Sequence, residues 1–244
     1  MPTDRAEAIV LRTAALGEQD KLVTLLTRDK GVLRGVAKGA RKFGNRFGSS
    51  LEPPSHITVH YYEKERRELV TISGCDLVQS FFDIGSDPET SFTLAYFSEL
   101  VEEFLPARFR EDVAFRLLLS TLQALQARGD ALRLTRYFEA WILMINGFLP
   151  DVRRCRQCRK PLAGPGWLSP RRDGAYCDGC APTRRDEVRP ELGRFLAWVR
   201  KNPPAAVPET PFTPAELRSI GKNLQAMIVF HLEREPKSLR YVKS

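Results

Sequence analysis

Two cysteine pairs carry the sharpest chemical signal in this sequence of 244 residues, CRQC at 155–158 and CDGC at 177–180. Eighteen residues separate the pairs, which falls within the spacing of a four-cysteine zinc site. Each C-x2-C turn aims two thiolates at one ion, and two such turns complete a tetrahedral shell. Two disulfides, or a redox C-x-x-C, are the alternatives. A reducing cytosol disfavours the first, and a redox motif needs no matched second pair. Four sulfur ligands leave no open position for an activated water, so zinc on Cys155, Cys158, Cys177 and Cys180 is expected to be structural. The fifth thiol, Cys75, sits in an apolar strand and reads as unreactive core.

The second signal is RGVAKGARKFGNRFGSSLEPP at 34–54, which carries Arg34, Lys38, Arg41, Lys42 and Arg46 before its first acid, Glu52. The glycines at 31, 35, 39, 44 and 48 argue against a helix, since each costs about 1 kcal/mol there relative to alanine. The stretch therefore reads as a strand running into a loop. A solvated linker usually mixes charge signs, whereas five cations without an acid among them repel one another unless a polyanion relieves the strain. The net charge of +8 points the same way, and nucleic acid is the expected partner. Phe43 and Phe47 either stack on bases or pin the loop to the fold. A second basic cluster, Arg153, Arg154, Arg156, Arg159 and Lys160 with Arg171 and Arg172 across a hairpin, surrounds the cysteines.

Other chemistry finds no support. GVAKGAR places its lysine before the second glycine, so it is not an ATP-binding loop, and neither H-E-x-x-H nor the zinc-deaminase signature occurs. His56 and His60 lie roughly 13 Å apart along one strand, too far to share an ion. His231, alone in the last helix, has no evident role.

The elements that must position these groups change character along the chain. IVLRT, LVTLLT, VLRGVAK, HITVHYY and LVTISG show the period-two pattern of strands within residues 1–80. Five short strands predict a barrel of the oligonucleotide-binding (OB-fold) type, with an SH3-like barrel as the alternative. From residue 85 the period becomes helical. Asp87-Pro88 opens a first helix with Phe92, Tyr96, Leu100 and Phe104 on one stripe. A second helix spans about 110 to 128 and stops near Gly129. The third covers about 131 to 146, with Phe138, Trp141, Ile142 and Ile145 inward and Gly147 as its cap. Two more follow at about 190–201 and 214–234, on either side of the connector NPPAAVPETPFTP. The expected architecture is α+β and multi-domain: an OB-fold at 1–80, and an α-helical domain at 85–244 with a zinc-ribbon-like module inserted at about 152–183. Within that module Asp173-Gly174 reads as a hairpin turn. No apolar run approaches the roughly 18 residues that cross a bilayer, and MPTDRAEAIV lacks the form of a signal peptide, so a cytoplasmic location is expected.

These residues together resemble the RecO recombination mediators of bacteria. EAIVLRTAALGEQDKLVTLLTRDKGVLRGVAKGAR, continuing to Leu51 and Pro53, is similar to the family's opening pattern, with KGAR its most specific piece. RYFEAWILMINGFLPD followed by the two cysteine pairs resembles its middle section, and the likeness weakens after about residue 190. The resemblance implies a non-enzymatic protein of DNA repair and recombination. It would bind single- and double-stranded DNA, anneal complementary strands, and with RecR help RecA replace single-stranded DNA-binding protein. It also implies that the acidic tail of single-stranded DNA-binding protein docks on the helical domain, where Arg136 of R-x-F-E either pairs with the tail's carboxylate or is simply solvated. The alternative function is a zinc-ribbon nucleic-acid-binding factor of transcription or RNA metabolism. A metal-dependent nuclease would need clustered carboxylates, which are missing near the basic loop.

Overall fold

A computed structural model describes residues 3–63, 68–106, 112–128 and 130–242. Its N-terminal part is a closed barrel of β1 (Asp4–Leu16), β2 (Asp20–Thr27), β3 (Gly31–Ala37), β4 (Ser55–Tyr62) and β5 (Val70–Ser80). The order around the barrel is β1-β2-β3-β5-β4, and β4 closes on β1. All pairings are antiparallel except β3 with β5, where Gly35 faces Val70. This is the OB-fold connectivity expected from the sequence, and the SH3-like alternative falls away. Ile57, Val59 and Tyr61 point inward, joined by Ala8, Val10, Val23, Leu25, Leu33 and Ile72.

Two strands are longer than their patterns. β1 begins at Asp4 because it serves two neighbours: Asp4–Ile9 pairs with β4, and Ala8–Leu16 pairs with β2 across a bulge between Val10 and Arg12. β5 continues past Gly74 to Ser80 because β4 offers it a partner along that whole length. Those extensions mix polar residues with exposed apolar ones such as Leu16, Leu77 and Val78, so no alternation of buried apolar positions announces them. The expected turn EKERRE falls largely at 64–67, outside the described residues.

Helix α1 (Pro88–Phe104) starts where Asp87 accepts a hydrogen bond from the Thr90 amide at 2.8 Å. Tyr96, Leu100 and Phe104 are buried as expected, but Phe92 is 38% exposed. A step of four residues overshoots one turn by about 40°, so a long i, i+4 row rotates off the buried face. Thr93, Leu94, Phe97 and Val101 fill that face instead. Helix α2 covers Asp112–Arg128; its expected start near 110 and stop at Gly129 lie outside the described residues. Both helices are tied to the barrel. Arg12 donates two hydrogen bonds to Glu102, Arg28 bridges Glu7 and Asp112, and His56 meets the edge of Phe115. The chain accordingly separates into two compact units at Gly129 and Asp130, whereas the sequence pattern changes period near residue 85.

The second unit begins with α3 (Ala131–Ile145), capped by Asp130 accepting from the Arg133 amide. It ends at Gly147, whose φ of 71° lets the Phe148 amide reach back to the Leu143 carbonyl at 2.8 Å. Phe138 and Ile142 are buried, while Trp141 and Ile145 are only half-buried. Strands β6 (Gly166–Leu168), β7 (Ala175–Cys177) and β8 (Glu187–Val188) form a small sheet, followed by α4 (Pro190–Val199) and α5 (Pro214–Leu232). A capping box between Thr213 and Glu216 starts α5.

An ion pair sits inside this unit. Arg136 and Glu139 of α3 are both 0% exposed, with Nη1 and Oε2 2.9 Å apart, and Gln225 of α5 donates to the other carboxylate oxygen at 3.2 Å. Gly221 of α5 lies against the guanidinium so closely that a β-carbon there would collide with Arg136 Nη1. Gly221→Ala is therefore expected to destabilise the second unit by about 3 kcal/mol, the lower end of the cost of breaking a buried pair. Thermal unfolding of the variant measures it, and a loss below about 1 kcal/mol would contradict this packing.

In the barrel, burial opposes ionisation of Glu7, but hydrogen bonds from Arg28 and His56 prevail and hold its carboxyl below the ordinary 4.5. A depressed folded-state value contributes stability that is present above the unfolded value and lost as pH falls through the folded one. Glu7→Gln should thus flatten the decline of stability below pH 4.5, measured by denaturant melts across that range.

Candidate nucleic-acid interface and metal centre

Strand β3 delivers the basic segment. Arg34 is exposed on β3, and Lys38 follows one residue after the strand ends at Ala37. Residues 38–50 then fold as consecutive turns, with Lys42 donating its amide to Gly39, Asn45 to Lys42, Gly48 to Asn45 and Ser50 to Phe47. Gly39 and Gly44 have φ of 71° and 65°, which side-chain-bearing residues rarely adopt. The loop is fastened at both ends. Asp20 accepts from the Gly39 amide at 2.8 Å, and Phe47 is buried in the barrel core.

The five cations take three different settings. Lys38, Lys42 and Arg46 line one groove of about 470 Å³ together with Gln19, Asp20 and Phe43. Arg46 is held there by its Nε donating to the Ser73 carbonyl at 2.8 Å and by its guanidinium lying 4.7 Å from the Phe47 ring centroid. Arg41 donates to the Gly17 carbonyl at 2.7 Å. Arg34 faces Glu102, 3.7 Å away, which Arg12 also binds. The sequence shows no acid among the five, yet folding supplies one beside Arg34 from α1. Lys38, Arg41, Lys42 and Arg46 pair with no carboxylate among the described residues. Gln19 of the β1–β2 turn and Asp20, the first residue of β2, had no chemical signal in the sequence and join the groove only because that hairpin packs beside the loop.

The four cysteines converge as their spacing predicts. Their sulfurs all lie within 4.8 Å of one another, and Cys158 and Cys177 are 3.8 Å apart. Sulfurs at about 2.3 Å from a tetrahedral ion stand about 3.8 Å from one another, so this donor set can hold a metal. The first turn is closed by the Cys155 amide donating to Lys160 and the Arg159 amide to Cys155; the second by the Cys180 amide donating to Cys177. Burial opposes ionisation of Cys155, but the backbone amides of Cys177, Cys158 and Gln157 outweigh it and bring the thiol to about 6. Hydrogen bonding to Cys177 and burial push Cys180 up to about 12. Four thiols this close cannot all ionise without a cation between them, which is the condition a metal satisfies. Cys75 stands apart, pushed up to about 12 by burial and Asp76, in keeping with an unreactive thiol.

The turn that returns the second pair differs from expectation. Leu168 pairs with Ala175, so residues 169–174 form the connection and no two-residue turn exists at Asp173-Gly174. Arg172 takes the left-handed conformation, and Asp173 accepts from Ser169 Oγ at 2.6 Å. Around the sulfurs, Arg153, Arg156 and Arg172 are paired with Asp151, Asp173 and Asp186. His56 contacts Glu7, His60 contacts Asp76, and neither histidine approaches a shared ion site. His231 stacks on Phe148 with centroids 4.1 Å apart. Arg136, expected at the surface for a tail carboxylate or for water, lies inside the second unit on Glu139 and offers neither an exposed guanidinium.

A family model described as Recombination protein O N terminal matches residues 1–81, and one described as Recombination protein O C terminal matches residues 85–240. The chain belongs to the RecO family. The DNA repair protein RecO of Koribacter versatilis is 33% identical over 231 residues, 95% of this chain and 94% of that protein. Those of Dehalococcoides mccartyi and Desulforudis audaxviator are 30% and 32% identical, each over 98% of this chain. The C-terminal RecO match extends past residue 190, to 240. No described helix is long and apolar enough to cross a membrane.

For this RecO-family chain, the convergence of the sulfurs makes a direct prediction. Protein as purified should carry about one metal ion per chain, and its removal by a chelator should expose the four cluster thiols to a thiol reagent. Cys155→Ser with Cys158→Ser should abolish metal retention while leaving the first unit folded, as followed by metal analysis and by melting.

Proposed function

We propose that this chain is a non-enzymatic, cytoplasmic mediator of recombinational DNA repair. It binds single- and double-stranded DNA, anneals complementary strands, and with RecR promotes loading of RecA onto DNA coated by single-stranded DNA-binding protein. The observation that carries the reading is the groove on the OB-fold barrel where Lys38, Lys42 and Arg46 stand together, ion-paired with no carboxylate among the described residues, the Asp20 carboxylate there accepting from the Gly39 amide. Cations so placed suit a phosphate chain, and neutralising two such chains on one surface lets complementary strands meet despite their repulsion. Arg41 and Arg34 flank that groove in the proposal, Arg34 with less to give because Glu102 already faces it.

The metal is proposed to be zinc, held by Cys155, Cys158, Cys177 and Cys180. Bound there it would cross-link the two turns of the module, with its coordination filled by sulfur and no position left for substrate. Its role is to hold β6 and β7 in register, and Cys177, the last residue of β7, carries that constraint directly into the sheet.

Two measurements test the reading. Protein added to complementary strands coated with single-stranded DNA-binding protein should speed duplex formation without nucleotide. Binding to single strands should weaken with salt, and replacing Lys38, Lys42 and Arg46 together by alanine should flatten the log-log slope by about 2, from about 0.7 per lost contact. Unchanged affinity and slope in a folded triple variant would remove the groove from the DNA interface. A preference for RNA with no acceleration of annealing would favour a transcription or RNA factor instead.

A further inference from the structure

The two phenylalanines of the basic loop part company in the folded chain. Phe47 is 2% exposed and completes the barrel core, so its role is that of an anchor. Phe43 is 108% exposed, more so than any other large apolar side chain described. Nothing in the barrel's packing calls for an aromatic ring at that position. A phenylalanine left wholly in water gives up a burial worth about 2 kcal/mol; single exposed apolar residues are common on protein surfaces, so what this one does is decided by its surroundings.

The ring's surroundings identify the contact. Phe43 lies at the lip of the groove whose other residues include Lys38, Lys42 and Arg46. Its backbone is held on both sides: the Lys42 amide donates to Gly39, the Asn45 amide and side-chain Nδ2 donate to Lys42, and the Phe47 amide donates to Asn45 Oδ1. The turn therefore fixes the backbone that carries the ring, leaving only the two side-chain torsions to be ordered on binding. Cations along a groove with one flat ring at its edge match the two halves of a nucleotide, phosphate and base.

Resting on the reading of this loop as a DNA grip, we propose that Phe43 is a stacking platform for one unpaired base of the bound strand. A base within a duplex already has both faces covered by its neighbours, so the ring gains nothing from it. Phe43 thus biases a charge-based grip, which alone holds either form of DNA, toward single strands. Every base has a π-face, so the contact is indifferent to sequence. When the strand pairs with its complement the ring loses its base, and the duplex is left on the cations alone.

The experiment compares wild type, Phe43→Ala, Phe43→Leu and Phe43→Trp, titrated against a single strand and the matching duplex at fixed salt and then across a salt series. Circular dichroism confirms folding, which an exposed ring should not govern. Phe43→Ala is expected to weaken single-strand binding by at least about five-fold, the lower bound for losing one base stack. Duplex affinity and both salt slopes should stay at the wild-type level. Phe43→Leu, apolar but without a π-face, should not restore binding. Phe43→Trp should restore it, and its added emission above the three native tryptophans should be quenched by single strands and not by duplex. Unchanged single-strand affinity in Phe43→Ala would overturn the proposal while leaving the loop reading intact, provided that the Lys38, Lys42 and Arg46 triple variant flattens the salt slope. Equal losses on both forms of DNA, or full binding by Phe43→Leu, would also overturn it. Wild-type behaviour of both Phe43→Ala and the triple variant would sink the loop reading and this proposal together.

Discussion

The parallel contact between β3 and β5 is the constraint on which the first unit depends. It is the one non-antiparallel pairing of the barrel, and Gly35 makes it possible. A β-carbon at Gly35 would sit 2.7 Å from Val70 Cγ2 and 2.9 Å from Ile72 Cγ1, so at the first pair of this contact the strands come too close for a side chain. That contact ends at Ala37 opposite Ile72, and Lys38 is the first residue released from the sheet. The basic loop begins there because barrel closure ends there. Its far end is fastened in turn by Phe47 in the core and by Arg46 on the Ser73 carbonyl of β5.

This arrangement separates the loop's lysines from its framework, while Arg41 and Arg46 each give a bond to it. The turns are stabilised by backbone amides, Asn45 and Asp20, while the lysine side chains take no part in those bonds. Cations freed from structural duty remain available to a polyanion, and their mutual repulsion persists until one arrives. The opposite holds in the second unit, where Arg136 is consumed by structure. Its guanidinium is held between Glu139 and the bare backbone of Gly221, a placement that fixes how α5 lies on α3. Buried pairs of this kind add little net stability yet penalise any other packing heavily.

The metal module follows a third logic. Its sheet is only two or three residues per strand, with few apolar side chains to bury. Sheets that small do not hold themselves together in water. Convergence of four sulfurs places a donor set able to hold a metal where a core is lacking, and the ion pairs of Arg156 with Asp173 and Arg172 with Asp186 brace the connection between β6 and β7.

By itself the sequence determined whatever depends on local spacing: the barrel's strands through period-two patterns, the first and third helices through Asp87 and Gly147, and the two sulfur pairs through their C-x2-C turns. Each strand pattern, cap and cysteine pair is written in residues a few positions apart. Tertiary structure decided what depends on distant partners. Glu102 reaches Arg34 across 68 positions, Gln225 reaches Glu139 across 86, and neither pairing leaves a trace in either local stretch. The same holds for the fate of two phenylalanines four residues apart, one in the core and one in water. Side chains that near in sequence differ only in which way the turn sends them, and Asn45 and Gly44 set that direction once the barrel has closed beneath.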